Sequence, residues 1–291
     1  MNDIYICLDH CSGFGDAYAN FLTGYIAYND LIRMGYKVKV MLSVYNRYFS
    51  SDILLDIFYD FSSFNCDVEQ IKKIDEQKFA SEYSLLQQDR NIIRIWVRND
   101  IFNELKFYQQ VPYDRYGLLN ITQDVDFKNQ FLSKEILNIA ESYIKNYKNI
   151  IGIHFRCLDI NVNSTVDEIW NIDSYKHELK IYEDLITNNK DENIMMCTNN
   201  NNIKKYFNER YDNVFVNNFS YSLPHLFTNN DTSTDIKRII HAKETLAEMA
   251  GFAECVKIYT SITNMSNFLL YGMVHNKHKN DLKSKIKILN Y

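Results

Sequence analysis

Glycine and proline are scarce in this chain, whose 291 residues include only 8 Gly and 2 Pro. This composition excludes collagen-like and Pro/Gly-rich disordered chains, and it makes a glycine at a strand-to-helix junction informative. Long apolar runs are also missing, because no run approaches the roughly 18 residues that a membrane span needs. No basic segment followed by an apolar one opens the sequence, so we expect a cytoplasmic protein without a transmembrane segment.

An excess of basic charge is missing as well. The net charge is -5 and the pI is about 5.8, which argues against a general nucleic-acid binder because such proteins need a basic face. The 6 cysteines lack C-x-x-C and Cys/His metal spacing, so we expect buried free thiols and no metal site. The Lys-rich end from Lys277 to Lys287 is either a solvated terminus or a weak peripheral contact with an anionic membrane.

Short apolar runs rich in β-forming residues alternate with longer segments of helical period. This alternation predicts an α/β fold with mostly parallel sheets, divided into two lobes at 1–125 and 126–291. The predicted strands are 4–8, 37–42, 92–97, 150–155, 193–197, 213–216 and 255–259. The predicted helices are 18–32, 51–61, 75–86, 128–147, 174–186, 202–209, 236–249 and 267–274.

The strongest candidate for chemistry is the segment that follows the buried strand 150–155. His154 and Arg156 alternate along the strand edge, and Asp159 is near enough in sequence to orient the Arg156 guanidinium. Ligands of open α/β sheets bind beyond the carboxyl ends of strands, and a planar guanidinium can hold two oxygens of a diphosphate. The alternative interpretation is a structural Arg–Asp pair at a strand end.

A second candidate is the loop between the first strand and the first helix, which contains Gly13, Phe14, Gly15 and Asp16. Two glycines that flank one residue allow the backbone to approach a ligand closely, and a following helix offers free N–H groups to an anion. The loop lacks the third glycine of a dinucleotide fingerprint and the Lys-Ser/Thr of a P-loop. A tight turn that leads into a helix remains the alternative.

Small polar residues follow two further predicted strands. Their hydroxyl and amide groups suit hydrogen bonds to a ribose, a base or a phosphate. Each group can equally form an N-cap of the helix that follows. The first group is Thr198, Asn199 and Asn200, and the second is Ser261, Thr263 and Asn264.

These segments, taken in order, resemble the motifs of the GDP-fucose-dependent fucosyltransferases, the group of α-1,2, α-1,6 and protein O-fucosyl enzymes. Residues 154–159 match H-x-R-x-x-D, and residues 13–16 look like the N-terminal G-x-G-[ND] loop. Residues 195–207 are similar to the strand, polar loop and helix of the second motif. Residues 246–261 are similar to the helix, strand and Ser-rich loop of the last motif.

The resemblance implies a GT-B-like fold, in which two Rossmann-like lobes face each other across a cleft. It implies an inverting, metal-independent transfer of a sugar, fucose first, from a GDP-sugar co-substrate to a saccharide acceptor. The donor would bind mainly to 126–291, with the acceptor on the side of 1–125. Arg156 would contact the diphosphate, with His154 and Asp159 in support, and the loop 13–16 would face it.

The chain departs from the family pattern in several positions. Asn199 and Asn200 stand where many members carry Asp, and Asp16 replaces a frequent Asn. Asp167 and Glu168 are the nearest carboxylates to the place where some relatives have a base, although a solvated pair in a loop is the alternative interpretation. Two other functions therefore stay open: a GT-B glycosyltransferase with another donor, and a non-catalytic module that binds nucleotide or carbohydrate.

Overall fold

A computed structural model of the chain describes its sheets and the helices of its second half. The chain divides into two compact units, one of 1–134 with 227–239 and one of 135–226 with 240–291. The described residues are 4–9, 25, 28, 29, 31–33, 35–43, 57–62, 64, 66, 68–71, 91–95, 132–155, 172–198, 200–217, 232–261 and 286–289.

The first unit contains a parallel four-stranded sheet. Its strands are β1 (Ile4–Asp9), β2 (Val38–Ser43), β3 (Val68–Ile71) and β4 (Asn91–Ile95), in the order β3-β2-β1-β4. The Ile- and Val-rich runs that predicted β1, β2 and β4 do form strands. Strand β3 was not predicted, because its sequence VEQI has apolar residues only at its two ends.

The prediction of a helix at 51–61 is wrong for the last residues of that range. Ile57 and Phe58 form a 3-10 turn, and Tyr59 makes an antiparallel bridge with Leu132. The Ser133 N–H donates to the Phe58 carbonyl over 3.0 Å. A contact between residues more than 70 positions apart therefore determines the backbone here, which a local helical period cannot reveal. The predicted helices 75–86 and 267–274 lie outside the described residues.

The second unit contains a parallel five-stranded sheet in the order β7-β6-β5-β8-β9. Its strands alternate with helices, as the sequence predicts, and a 3-10 turn at Ile172–Tyr175 leads into the second helix. Lys134 and residues 232–239, at the starts of two of its helices, belong to the first unit. The elements are α1 (Lys134–Ile144), β5 (Ile151–Phe155), α2 (Lys176–Asn188), β6 (Ile194–Thr198), α3 (Asn201–Arg210), β7 (Val214–Val216), α4 (Thr232–Phe252), β8 (Lys257–Ser261) and β9 (Ile286–Leu289).

Several elements in the second unit differ from prediction. Helix α1 begins at Lys134 rather than at residue 128, because Leu132 takes part in the bridge with Tyr59. Strand β8 begins two residues later than predicted, because the Cys255 N–H closes a turn onto Phe252. Strand β9 falls at the Lys-rich end, where no strand was predicted, and Leu289 packs against the core.

The central strand β5 is buried on both faces. Phe155 stacks on Tyr182, with ring centroids 4.5 Å apart, on the face covered by α2. On the other face Gly152 lies against Phe252 of α4, so closely that a Cβ atom would be 2.8 Å from the Phe252 ring and 3.1 Å from Cys255 Sγ. The absence of a side chain at Gly152 therefore sets the distance between the sheet and α4.

We expect Gly152→Ala to lower the free energy of unfolding by about 1–3 kcal/mol, because the added methyl group overpacks the contact with Phe252. Urea denaturation of the wild type and the variant measures the change. Asn138→Ala, at an exposed position of α1, is the control and should leave the midpoint nearly unchanged. Equal midpoints for Gly152→Ala and the wild type would contradict this account of the packing.

Candidate functional site

The carboxyl ends of β5, β6 and β8 meet at one edge of the second sheet. All three strands are parallel, and His154 of β5 lies level with Cys197 of β6 and with Thr260 of β8. The segments that the sequence singled out after these strands are therefore attached to the same edge. In open α/β sheets this edge is where ligands bind.

His154 is the candidate residue whose surroundings are described most fully. Its side chain is buried, and Nδ1 lies 3.2 Å from the hydroxyl oxygen of Thr260. The ring packs edge-to-face on Phe252, with centroids 6.3 Å apart, and the Tyr182 hydroxyl donates to the His154 carbonyl over 3.4 Å. The contacts with Thr260 and Phe252 hold the imidazole, and the Tyr182 bond holds the backbone. Thr260 was not predicted to contact His154, since this pairing depends on the sheet order.

Asn200 acts as the N-cap of α3. Its side-chain oxygen accepts hydrogen bonds from the N–H groups of Asn202, over 2.9 Å, and Ile203, over 3.2 Å. The Thr198 hydroxyl in turn accepts from the Asn200 N–H over 3.3 Å. The capping role that the sequence left open is thus present at Asn200. Donor binding by Thr198 and Asn200 stays a prediction.

A buried polar cluster, which sequence reasoning missed, lies beside the same strands. It consists of Lys204 in α3, Asn217 directly after β7 and Glu248 in α4, and we refer to it as the Lys204 cluster. The Lys204 ammonium donates to Asn217 Oδ1 over 2.9 Å and lies 3.5 Å from Glu248 Oε1. The Asn217 amide also donates to Glu248 Oε1. The detectable signal was Glu248 itself, a charged residue within an apolar helical stretch.

Burial changes the ionisation of the groups around the Lys204 cluster. It raises the pKa of Glu248, and the nearby Lys204 charge opposes this shift. Burial also raises the pKa of Cys197 well above its usual range, so the thiol that contacts Glu248 stays protonated. The pKa of His241 is lowered to about 4 by burial and by the charge of Lys204. His241 is therefore neutral near pH 7.

Most of the other predicted site residues lie outside the described part of the chain. Their roles, and the cleft expected between the lobes, stay predictions. Within the described ranges there is no group of three or more His, Cys, Asp or Glu side chains that could hold a metal ion, and no helix that could span a membrane. Ser261 is described as the last residue of β8. The residues outside are Gly13, Phe14, Gly15, Asp16, Arg156, Asp159, Asp167, Glu168, Asn199, Thr263 and Asn264.

Comparison with known proteins finds a similar fold among solved structures. No protein-family model matches the chain, and no curated protein sequence matches it. Solved structures do match, and they include GDP-fucose fucosyltransferases. The chain therefore has the fold of a fucosyltransferase.

The matches extend over nearly the whole chain. The NodZ α-1,6-fucosyltransferase soaked with GDP-fucose has a TM-score of 0.51 and 14% sequence identity, over 93% of this chain and 92% of its own. NodZ from Bradyrhizobium has a TM-score of 0.50 and 12% identity, over 92% of each chain. A variant of Arabidopsis thaliana FUT1 in complex with GDP has a TM-score of 0.46 and 12% identity, over 93% of this chain and 68% of its own.

We expect Thr260→Val to change the state of the His154 ring, because valine keeps the shape of threonine but removes the hydroxyl next to Nδ1. Ring ¹⁵N NMR measures the Nδ1–H and Nε2–H tautomer populations. Thr260→Ser keeps the hydroxyl and should preserve the wild-type populations. Identical His154 spectra for wild type and Thr260→Val would show that this contact does not orient the ring.

Proposed function

We propose that the chain is an inverting, metal-independent fucosyltransferase that transfers fucose from GDP-fucose to a saccharide acceptor. The observation that carries the proposal is the fold, which matches a GDP-fucose-soaked α-1,6-fucosyltransferase over 93% of the chain. The ordered motifs support it, because those at 154–159, 195–207 and 246–261 each include the carboxyl end of β5, β6 or β8, and these ends lie at one sheet edge.

In this proposal the donor binds at the carboxyl edge of the second sheet. Arg156, next in sequence after β5, contacts the diphosphate, and its fork holds two oxygens at once. His154 supports it from the strand end, where Thr260 and Phe252 hold the imidazole. Asp159 orients the Arg156 guanidinium.

The remaining predicted residues surround the same donor. Thr198, at the end of β6, offers a hydroxyl oxygen, while the side-chain oxygen of Asn200 is engaged in the cap of α3. Asn199, Ser261, Thr263 and Asn264 supply further polar contacts. The Gly13–Asp16 loop faces the donor across a cleft of GT-B type, and the acceptor binds in that cleft.

The chemistry follows from the charge that develops in the reaction. An acceptor hydroxyl attacks the anomeric carbon on the side opposite to the diphosphate, so the configuration inverts. The C–O bond to GDP breaks, and Arg156 stabilises the negative charge on the departing diphosphate. Asp167 or Glu168 accepts the proton of the acceptor hydroxyl.

We expect GDP to stabilise the protein more than UDP, CDP or dTDP do. A ligand that binds only the folded state stabilises it by about 2.7 kcal/mol at a concentration of 100 times its Kd. Thermal-shift curves with each nucleotide, with and without EDTA, measure the effect. A larger shift with UDP would favour another donor, and loss of the GDP shift on chelation would contradict metal-independent binding.

Turnover separates an enzyme from a silent binding module. An enzyme should consume GDP-fucose, through transfer to a saccharide or through slow hydrolysis, and release GDP. A module would bind GDP without releasing free sugar. Release of GDP and fucose, followed over time with the intact protein, therefore distinguishes these two functions.

We expect Arg156→Lys to reduce turnover on the order of a hundredfold or more while the fold stays intact. Lysine keeps the charge but loses the two-pronged contact with the leaving diphosphate. A surface salt bridge would tolerate the change at a cost of about 1 kcal/mol or less. GDP release and melting temperature are measured for both proteins. Near-normal turnover in a folded variant would mean that Arg156 is structural.

A further inference from the structure

The Lys204 cluster joins three elements that border the candidate donor site. Lys204 lies in the first turns of α3, Asn217 follows β7, and Glu248 belongs to α4. The side chains of Lys204 and Glu248 are only 10% and 12% exposed, so both charges are largely withdrawn from water. Removing one partner would leave the other buried without its opposite charge.

A buried ion pair contributes little net stability. The desolvation of two charges offsets most of their attraction, and apolar residues of similar volume often replace such a pair without loss. The pair does require one defined arrangement, because the Lys204 ammonium must reach Asn217 and Glu248 together. We therefore expect the pair to act mainly on the position of the elements that it joins, and less on net stability.

Hydrogen bonds in the first turn of α3 connect the backbone at Lys204 to the end of β6. The Lys204 backbone N–H donates to the Asn200 carbonyl over 3.0 Å, which is the first hydrogen bond of the helix and does not depend on the side chain. The Asn200 N–H donates to the Thr198 hydroxyl over 3.3 Å, and Asn200 also caps α3. The Lys204 side chain therefore holds the first turn of α3, and a displacement of this turn would shift Asn200 and, through the hydrogen bond to its hydroxyl, Thr198.

We propose that Lys204, held by Asn217 and Glu248, is a positioning residue that fixes Thr198 and Asn200 at the carboxyl end of β6 for donor binding. The link to the donor rests on the proposed function. The positioning of Thr198 and Asn200 does not, since it follows from contacts within the protein.

The test compares breaking the Lys204 cluster with replacing it. Lys204→Met leaves Asn217 and Glu248 without their cation and should lower the melting temperature by about 10 °C. The triple variant Lys204→Met/Asn217→Leu/Glu248→Met makes the whole site apolar and should recover most of that loss. Glu248→Gln keeps the shape and removes the charge, as a milder variant. The exposed pair Lys180 and Asp184, both replaced by Met, is the matched control.

Two readouts then separate positioning from stability. Amide hydrogen exchange at residues 200–206 should be about tenfold faster in the triple variant and in Glu248→Gln than in the wild type, even where the melting temperature is recovered. GDP should bind both variants about tenfold more weakly by calorimetry. The Lys180/Asp184 control should change neither quantity.

The outcomes distinguish this proposal from the proposed function. Wild-type exchange at 200–206 in variants of recovered stability would overturn the positioning role, whatever the nucleotide affinity. Faster exchange together with unchanged GDP affinity would overturn the link to donor binding. If the wild type bound no GDP, the proposed function would fail, while the exchange measurement would still decide whether Lys204 positions Thr198 and Asn200.

Discussion

The hydrogen-bonded register of β5 with its two neighbours is the constraint on which the second unit depends. It sets His154 level with Cys197 on one side and Thr260 on the other. Because β5 is buried on both faces, a shift of one residue would exchange its apolar and polar side chains between the two faces. The close contact between Gly152 and Phe252 fixes the same register from the side of α4.

This register concentrates polar groups on an otherwise apolar scaffold. Thr260 contacts His154, and Glu248 of α4 contacts both Cys197 and Asn217. Buried polar groups are costly unless they are paired, and these groups are paired across strands and with α4. The free-energy cost of burying such groups is small when every partner is present. They can therefore define the geometry of a ligand-binding edge.

The likeness to fucosyltransferases lies in the fold, while most of the side chains differ. At 14% identity and a TM-score of 0.51, the shared property is the order of strands and helices. Parallel strands place their carboxyl ends together whatever their side chains are, so a fold of this kind presents a binding edge in every member. Which ligand such an edge binds depends on its polar side chains, and in this chain the Asn200 side-chain oxygen is engaged in a cap.

The sequence by itself determined the α/β class, most strands of both sheets and the position of His154 near a strand end, because these follow from short local runs of apolar residues. Tertiary structure decided the rest. Strands β3 and β9 have weak local signals and exist through pairing with β2 and β8. Tyr59 pairs with Leu132 instead of lying in the predicted helix. Thr260 contacts His154, and Lys204 contacts Asn217, in both cases more than ten residues away in sequence. Such pairings depend on strand order and on helix placement, which no local pattern of residues encodes.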